Sequence, residues 1–229
     1  MNKIAIFQKQ NWPIWTANAV ALIGLVVYFA QAMVFAHTTV SNLDEGAYLL
    51  KGFLFATGEY RPFDPGISTN KGPLAFLIPG YVQLLFGAGL RTGRYLAVFF
   101  GVMAVLGTWV ASRRIGGKWL AAGAVWVFAS NPVIIKFYSG GATQSTIACL
   151  LAWALALSLG ERRPLWQLML SGLFAGLMML VRQNMMPVLP LLAVYAFWQH
   201  GWKSLDLLIS GLTVVVAVHI MYWPEILQL

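Results

Sequence analysis

The sequence predicts an all-α, polytopic membrane helix bundle of about eight spans, with one amphipathic interfacial helix in the first extracytoplasmic loop. Three observations predict it. The chain is 59% hydrophobic and only 10% charged, against roughly 45–50% and 25% in soluble domains. Its mean hydropathy of +0.73 comes from long unbroken apolar runs. Lys and Arg collect in the short joints between those runs, where they can reach lipid phosphates. A soluble fold of 229 residues cannot bury several runs that are each long enough to cross a bilayer.

Lys3 and Lys9 precede a first apolar run, Ile14 to Ala36. It is longer than the roughly 7–15 apolar residues of a cleaved signal peptide. It therefore reads as a retained transmembrane helix, with Trp12 and Trp15 at the interface. The one long polar stretch follows, residues 37–72. Further apolar runs then lie at Pro73–Gly89, Tyr95–Ala111, Trp119–Ile135, Thr143–Leu159, Leu165–Val181, Pro187–Trp198 and Leu205–Tyr222. Pro187–Trp198 is short for a bilayer and suits a re-entrant segment. Residues 1–229 read as a single transmembrane domain, without repeats or a soluble module. If the N-terminus is cytoplasmic, strict alternation of these spans puts the long loop outside. It also puts Arg113, Arg114, Lys118, Arg162 and Arg163 outside, against the positive-inside rule.

The first half of the polar loop has helical periodicity. Leu49, Leu50, Phe53 and Leu54 fall near one apolar face, and Asp44, Tyr48 and Lys51 near another. Ser41, three residues before Asp44, is a weak helix-start signal. Asp44 and Glu45 then sit at a helix N-terminus near the membrane surface, with Arg61 and Lys71 nearby in sequence. A carboxylate there can act as general base on a hydroxyl while cations hold an anionic leaving group. The plainer reading is that the acids only complement the helix dipole and Lys71 only snorkels.

Other chemistries have little support. A nucleic-acid partner needs a solvated basic face with interleaved aromatics, and the sequence shows none. Cys149 stands alone in an apolar run and reads as a small packing residue. HExxH, CxxCH and P-loop signatures are missing, so no metal or cofactor is expected. Of the histidines only His219 reaches membrane depth, and a helix–helix hydrogen bond is its ordinary role. Asn18, Gln31 and Gln83 are expected to hydrogen-bond between helices. Ionisable residues inside the spans are nearly absent, which argues against a pump or carrier.

Several segments in order resemble the GT-C membrane glycosyltransferases, the family 39-like group of protein O-mannosyltransferase and aminoarabinose-transferase type. They are Leu43-Asp44-Glu45-Gly46-Ala47-Tyr48, Thr57-Gly58-Glu59-Tyr60, Asn70-Lys71-Gly72-Pro73-Leu74, Gly89-Leu90-Arg91-Thr92-Gly93-Arg94, and Gly176 to Arg182. The resemblance implies inverting transfer of a sugar from a polyprenyl-phosphate donor to a hydroxyl acceptor outside the cytoplasm, in the inner or plasma membrane if the source is bacterial. It implies Asp44 as catalytic carboxylate with Glu45 beside it. Tyr48, Arg61 and Lys71 would bind substrate, the two cations at the lipid phosphate. Where family members often carry another acid, this chain reads Ala142-Thr143-Gln144-Ser145. Family members are usually longer, so the resemblance covers an N-terminal portion, truncated or inactive as an expectation. The partners implied are membrane lipids and the lipid-linked sugar. A rival reading is a non-catalytic accessory subunit of a larger energy-transducing or photosynthetic membrane complex, bound to other membrane subunits.

Overall fold

The structure, a computed structural model, describes residues 14–63 and 72–227. Every regular element among them is helical. In chain order these are α1 (Ile14–Thr38), α2 (Leu43–Thr57), α3 (Leu74–Phe86), α4 (Leu90–Ser130), α5 (Pro132–Ser139), α6 (Gln144–Ser158), α7 (Leu165–Val181), α8 (Val188–His200), α9 (Ser204–Met221) and the short α10 (Trp223–Ile226). Three segments are long and apolar enough to cross a membrane: Trp15–Thr38, Leu90–Ser130 and Gln183–Met221. The bent pair α5–α6 makes a fourth if its two helices form one span. This is an integral membrane protein, and eight separate spans are not what the structure presents.

The 41 residues of α4 are not one rod. Gly117, at φ 81° and ψ −168°, breaks the helix in the polar joint Arg113–Lys118. The first part, from Leu90 to Gly116, is about 40 Å long at 1.5 Å per residue. It therefore carries the chain from one end of the bundle to the other, and the part after Gly117 returns. α6 follows the first part of α4, with the Trp153 indole donating to Met103 O at 3.0 Å. α7 runs back along α6, where Ser171 Oγ donates to Ala154 O at 2.7 Å.

The departure from expectation lies in α3. The apolar run Pro73–Gly89 reads as a span, yet its helix has only 13 residues, about 20 Å against a hydrocarbon core of about 30 Å. Its C-terminal end lies beside the first half of α2, with Gln83 Nε2 donating to Leu49 O at 2.9 Å. At its N-terminal end, Gly72 packs directly on the carbonyl of Leu180, at the end of α7. Val181 joins Tyr48, Phe55, Ala75 and Phe76 in one buried cluster. Both ends of α3 thus sit at the same end of the bundle, and α3 forms an antiparallel hairpin with α2. Gly52 and Gly80 permit this, since a Cβ on either would strike backbone of the other helix.

Because α3 makes no crossing, every later joint changes ends. Residues 113–118 and 161–163 lie at the end opposite α2, not on its side as strict alternation implied. At that far end His200 Nε2 lies 3.2 Å from Ser158 O, and Gly160 N donates to the Tyr195 hydroxyl at 3.4 Å.

Other expectations resolve individually. Gln31 donates to Ala129 O at 2.8 Å across α1 and α4, and Gln83 bridges α3 and α2. Asn18 Oδ1 is buried without a partner. His219 Nδ1 lies 2.7 Å from Val215 O of its own helix. Cys149 is buried among packing residues.

Candidate functional site

The candidate site is built on the first turn of α2. Asn42, at φ −114° and ψ 165°, caps this helix, and its Oδ1 accepts from Glu45 N at 2.8 Å. The start signal is therefore Asn42 with an acid three residues on, one position later than the Ser41 reading. The helix stops at Gly58, whose left-handed φ of 82° a side chain would strain.

This start points two adjacent carboxylates in different directions. Asp44 is exposed and makes no hydrogen bond or ion pair with any described residue. Glu45 is 3% exposed. Arg94, itself 4% exposed, grips it bidentately, Nε to Oε1 and Nη2 to Oε2, each at 2.9 Å. Gly141 N donates to Oε1 at 2.7 Å. The remaining nitrogen of Arg94, Nη1, donates to Ala36 O at 2.9 Å and Thr39 O at 2.8 Å. One ion pair therefore ties together the end of α1, the start of α2, the start of α4 and the turn between α5 and α6.

Burial alone would push the Glu45 carboxyl up. The hydrogen bonds and charge of Arg94, with the N–H groups of Gly141 and Asn42, outweigh it and hold the carboxyl below its ordinary value. Both Glu45 oxygens are thus committed to donors. Asp44 keeps its lone pairs free of any described donor, while Glu45 holds the turn on which Asp44 stands.

Tyr48 was expected on the face of Asp44 and Lys51. Instead it is buried, in the inward stripe Glu45, Tyr48, Leu49, Gly52 and Phe55, and its ring lies 5.3 Å from that of Phe76 in α3. The apolar face expected at Leu49, Leu50, Phe53 and Leu54 is split. Leu49 packs inward, whereas Leu50 is 62% exposed. Arg61 is exposed, just before Phe63, whose ring packs 6.2 Å from His219 and 5.9 Å from Tyr222. Lys71 lies outside the described residues.

Arg94 is the residue that sequence reasoning missed, because its partner is 49 positions away and no helical period connects them. The signal available was an arginine among apolar residues close to a span start, a position where a buried partner is the rule.

The family model for dolichyl-phosphate-mannose-protein mannosyltransferases matches residues 70–225. The match takes in α3 to α9, Arg94 and Gly141 included, and begins after Asp44 and Glu45. No curated protein and no solved structure matches the chain. A family of this kind works with a lipid-linked sugar in a membrane, which favours the transferase over the accessory subunit. With most of its length matched, the chain belongs to the dolichyl-phosphate-mannose-protein mannosyltransferase family.

Proposed function

We propose that this protein is a membrane glycosyltransferase of the GT-C type, which transfers a sugar from a polyprenyl-phosphate donor to a hydroxyl acceptor. The observation that carries the reading is the exposed, unpaired carboxylate of Asp44 on a helix start that a buried ion pair immobilises. Asp44 accepts the proton of the acceptor hydroxyl as its oxygen bonds to the anomeric carbon. The anomeric carbon–oxygen bond to phosphate breaks on the opposite face, which inverts the configuration and releases the polyprenyl phosphate. Arg61 and Lys71 hold the phosphate as its charge develops. Tyr48 anchors α2 on Phe76 of α3, and Glu45 positions Asp44 through Arg94.

In this reading residues 1–229 act as one transmembrane domain. α1, both parts of α4, α6, α7, α8 and α9 cross the membrane, while α2 and α3 lie at the non-cytoplasmic surface. The exposed Leu43 and Leu50 of α2 face the lipid interface there. The far end, with Arg113, Arg114, Lys118, Arg162 and Arg163, faces the cytoplasm of the inner or plasma membrane.

The deciding experiment is a transfer assay with polyprenyl-phosphate sugars, comparing the native chain with Asp44→Asn. Loss of a general base costs about 10²–10⁴ in rate. Equal turnover by the two proteins removes Asp44 from the chemistry.

A further inference from the structure

At the end of the bundle opposite Asp44, the break in α4 meets the joint between α6 and α7, and both bring arginines. Arg114 is half-buried, and its Nη1 is buried with no hydrogen-bond partner among the described residues. Gly107 of α4 packs on Ala152 of α6. About two turns further on, Arg114 therefore stands level with Leu159 and the joint that carries Arg163, near enough for the two charges to act on each other. The two guanidiniums repel, and no carboxylate among the described residues pairs with either. Glu161, two positions from Arg163, is exposed and makes no ion pair with a described residue.

The surroundings hold these cations in place. Arg163 Nε donates to Leu159 O at 2.6 Å, and its Nη2 lies beside Gly160. Arg162 takes a left-handed φ of 53°, unusual for a residue with a side chain, within this joint. Arg113 stacks with its guanidinium carbon 5.0 Å from the Trp109 ring centroid. Like charges packed together around a buried unpaired N–H are costly unless an anion joins them. A planar fork of donors suits phosphate in particular.

We infer that Arg114 and Arg163, flanked by Arg113, form a binding site for the phosphate of an anionic lipid headgroup in the leaflet opposite Asp44. The source is lipid because the cluster sits where Leu90–Ser130 ends its first traverse, between helix faces whose exposed side chains are apolar, such as Ile115 and Trp166. The site is independent of sugar transfer.

The test is native mass spectrometry of the full chain, released from detergent micelles containing phosphatidylglycerol and phosphatidylcholine in equal amounts. The native protein is expected to retain phosphatidylglycerol preferentially, and added salt weakens the retention. Arg114→Gln with Arg163→Gln lowers that preference about thirtyfold, since each charge contributes about fivefold. Lys136→Gln, at the other end, leaves it unchanged. Equal retention of the two lipids by the native protein overturns the inference, and that measurement stands even if the double variant fails to fold. Equal preference in the native and double-variant proteins overturns it as well. Displacement of phosphatidylglycerol by millimolar inorganic phosphate overturns the lipid assignment in favour of a soluble anion.

Discussion

Removing the charge of Arg94 leaves Glu45 ionised in a space that admits almost no water. Loss of one partner from such a buried pair costs about 3–5 kcal/mol, more than the pair itself contributes over a well-packed apolar replacement. Arg94→Met is therefore expected to lower thermal stability in detergent sharply. Arg94→Met combined with Glu45→Leu recovers part of the loss, and a double-mutant cycle by thermal unfolding measures it. The depressed carboxyl has a signed consequence with pH. Its contribution is present above the ordinary glutamate value of 4.5 and is lost as pH falls through the lower value of the folded protein. Unfolding midpoints of the native protein should fall more steeply below pH 4.5 than those of Glu45→Gln. A steeper fall in the variant contradicts the assignment. Asp44 and Glu45 were legible in the sequence as an acidic pair at a helix start, but the difference between them was not. Which of two adjacent acids is buried depends on Arg94 and Gly141, and neither leaves a periodic trace near residue 45.

Among elements, the most extensive contact joins α7 to α9. Gly172 and Gly176 form a G-x-x-x-G face in an apolar helix. A Cβ on Gly172 would strike Leu207 O, and one on Gly176 would strike Gly211 O. Gly172→Leu is expected to separate the two helices and to release Ser210 Oγ, which donates to Met169 O at 2.8 Å. Faster proteolysis or a lowered unfolding midpoint in micelles reports that separation, and an unchanged midpoint refutes it. The glycine spacing is readable directly from the sequence, although its partner helix is not. α3 was misread for a related reason. A run of apolar residues has the same composition whether it crosses lipid or lies on other helices. The placing of both its ends beside α2 and the end of α7, by Gln83 on Leu49 and Gly72 on Leu180, decides between the two.

For the molecule as a whole, one element that fails to cross reverses the side of everything after it. Composition established the membrane class and most helix positions, because hydropathy is a local property. Sidedness is cumulative, so the single error at α3 carried through to residues 113–118 and 161–163. Labelling tests the corrected arrangement. In a Cys149→Ser background, Glu59→Cys and Glu161→Cys, both at exposed positions, should react with an impermeant maleimide from opposite faces of sealed vesicles. Reaction of both from the same face would return α3 to the role of a span.

The pairing of α7 with α9 also bears on how the chain is assembled. These two helices run in the same direction, and α8 has to pass around them before α9 can be seated. Until α9 leaves the ribosome, the glycine notch on α7 stands open to acyl chains. A nascent chain halted before Ser204 would therefore leave Gly172 and Gly176 without the helix that seats on them.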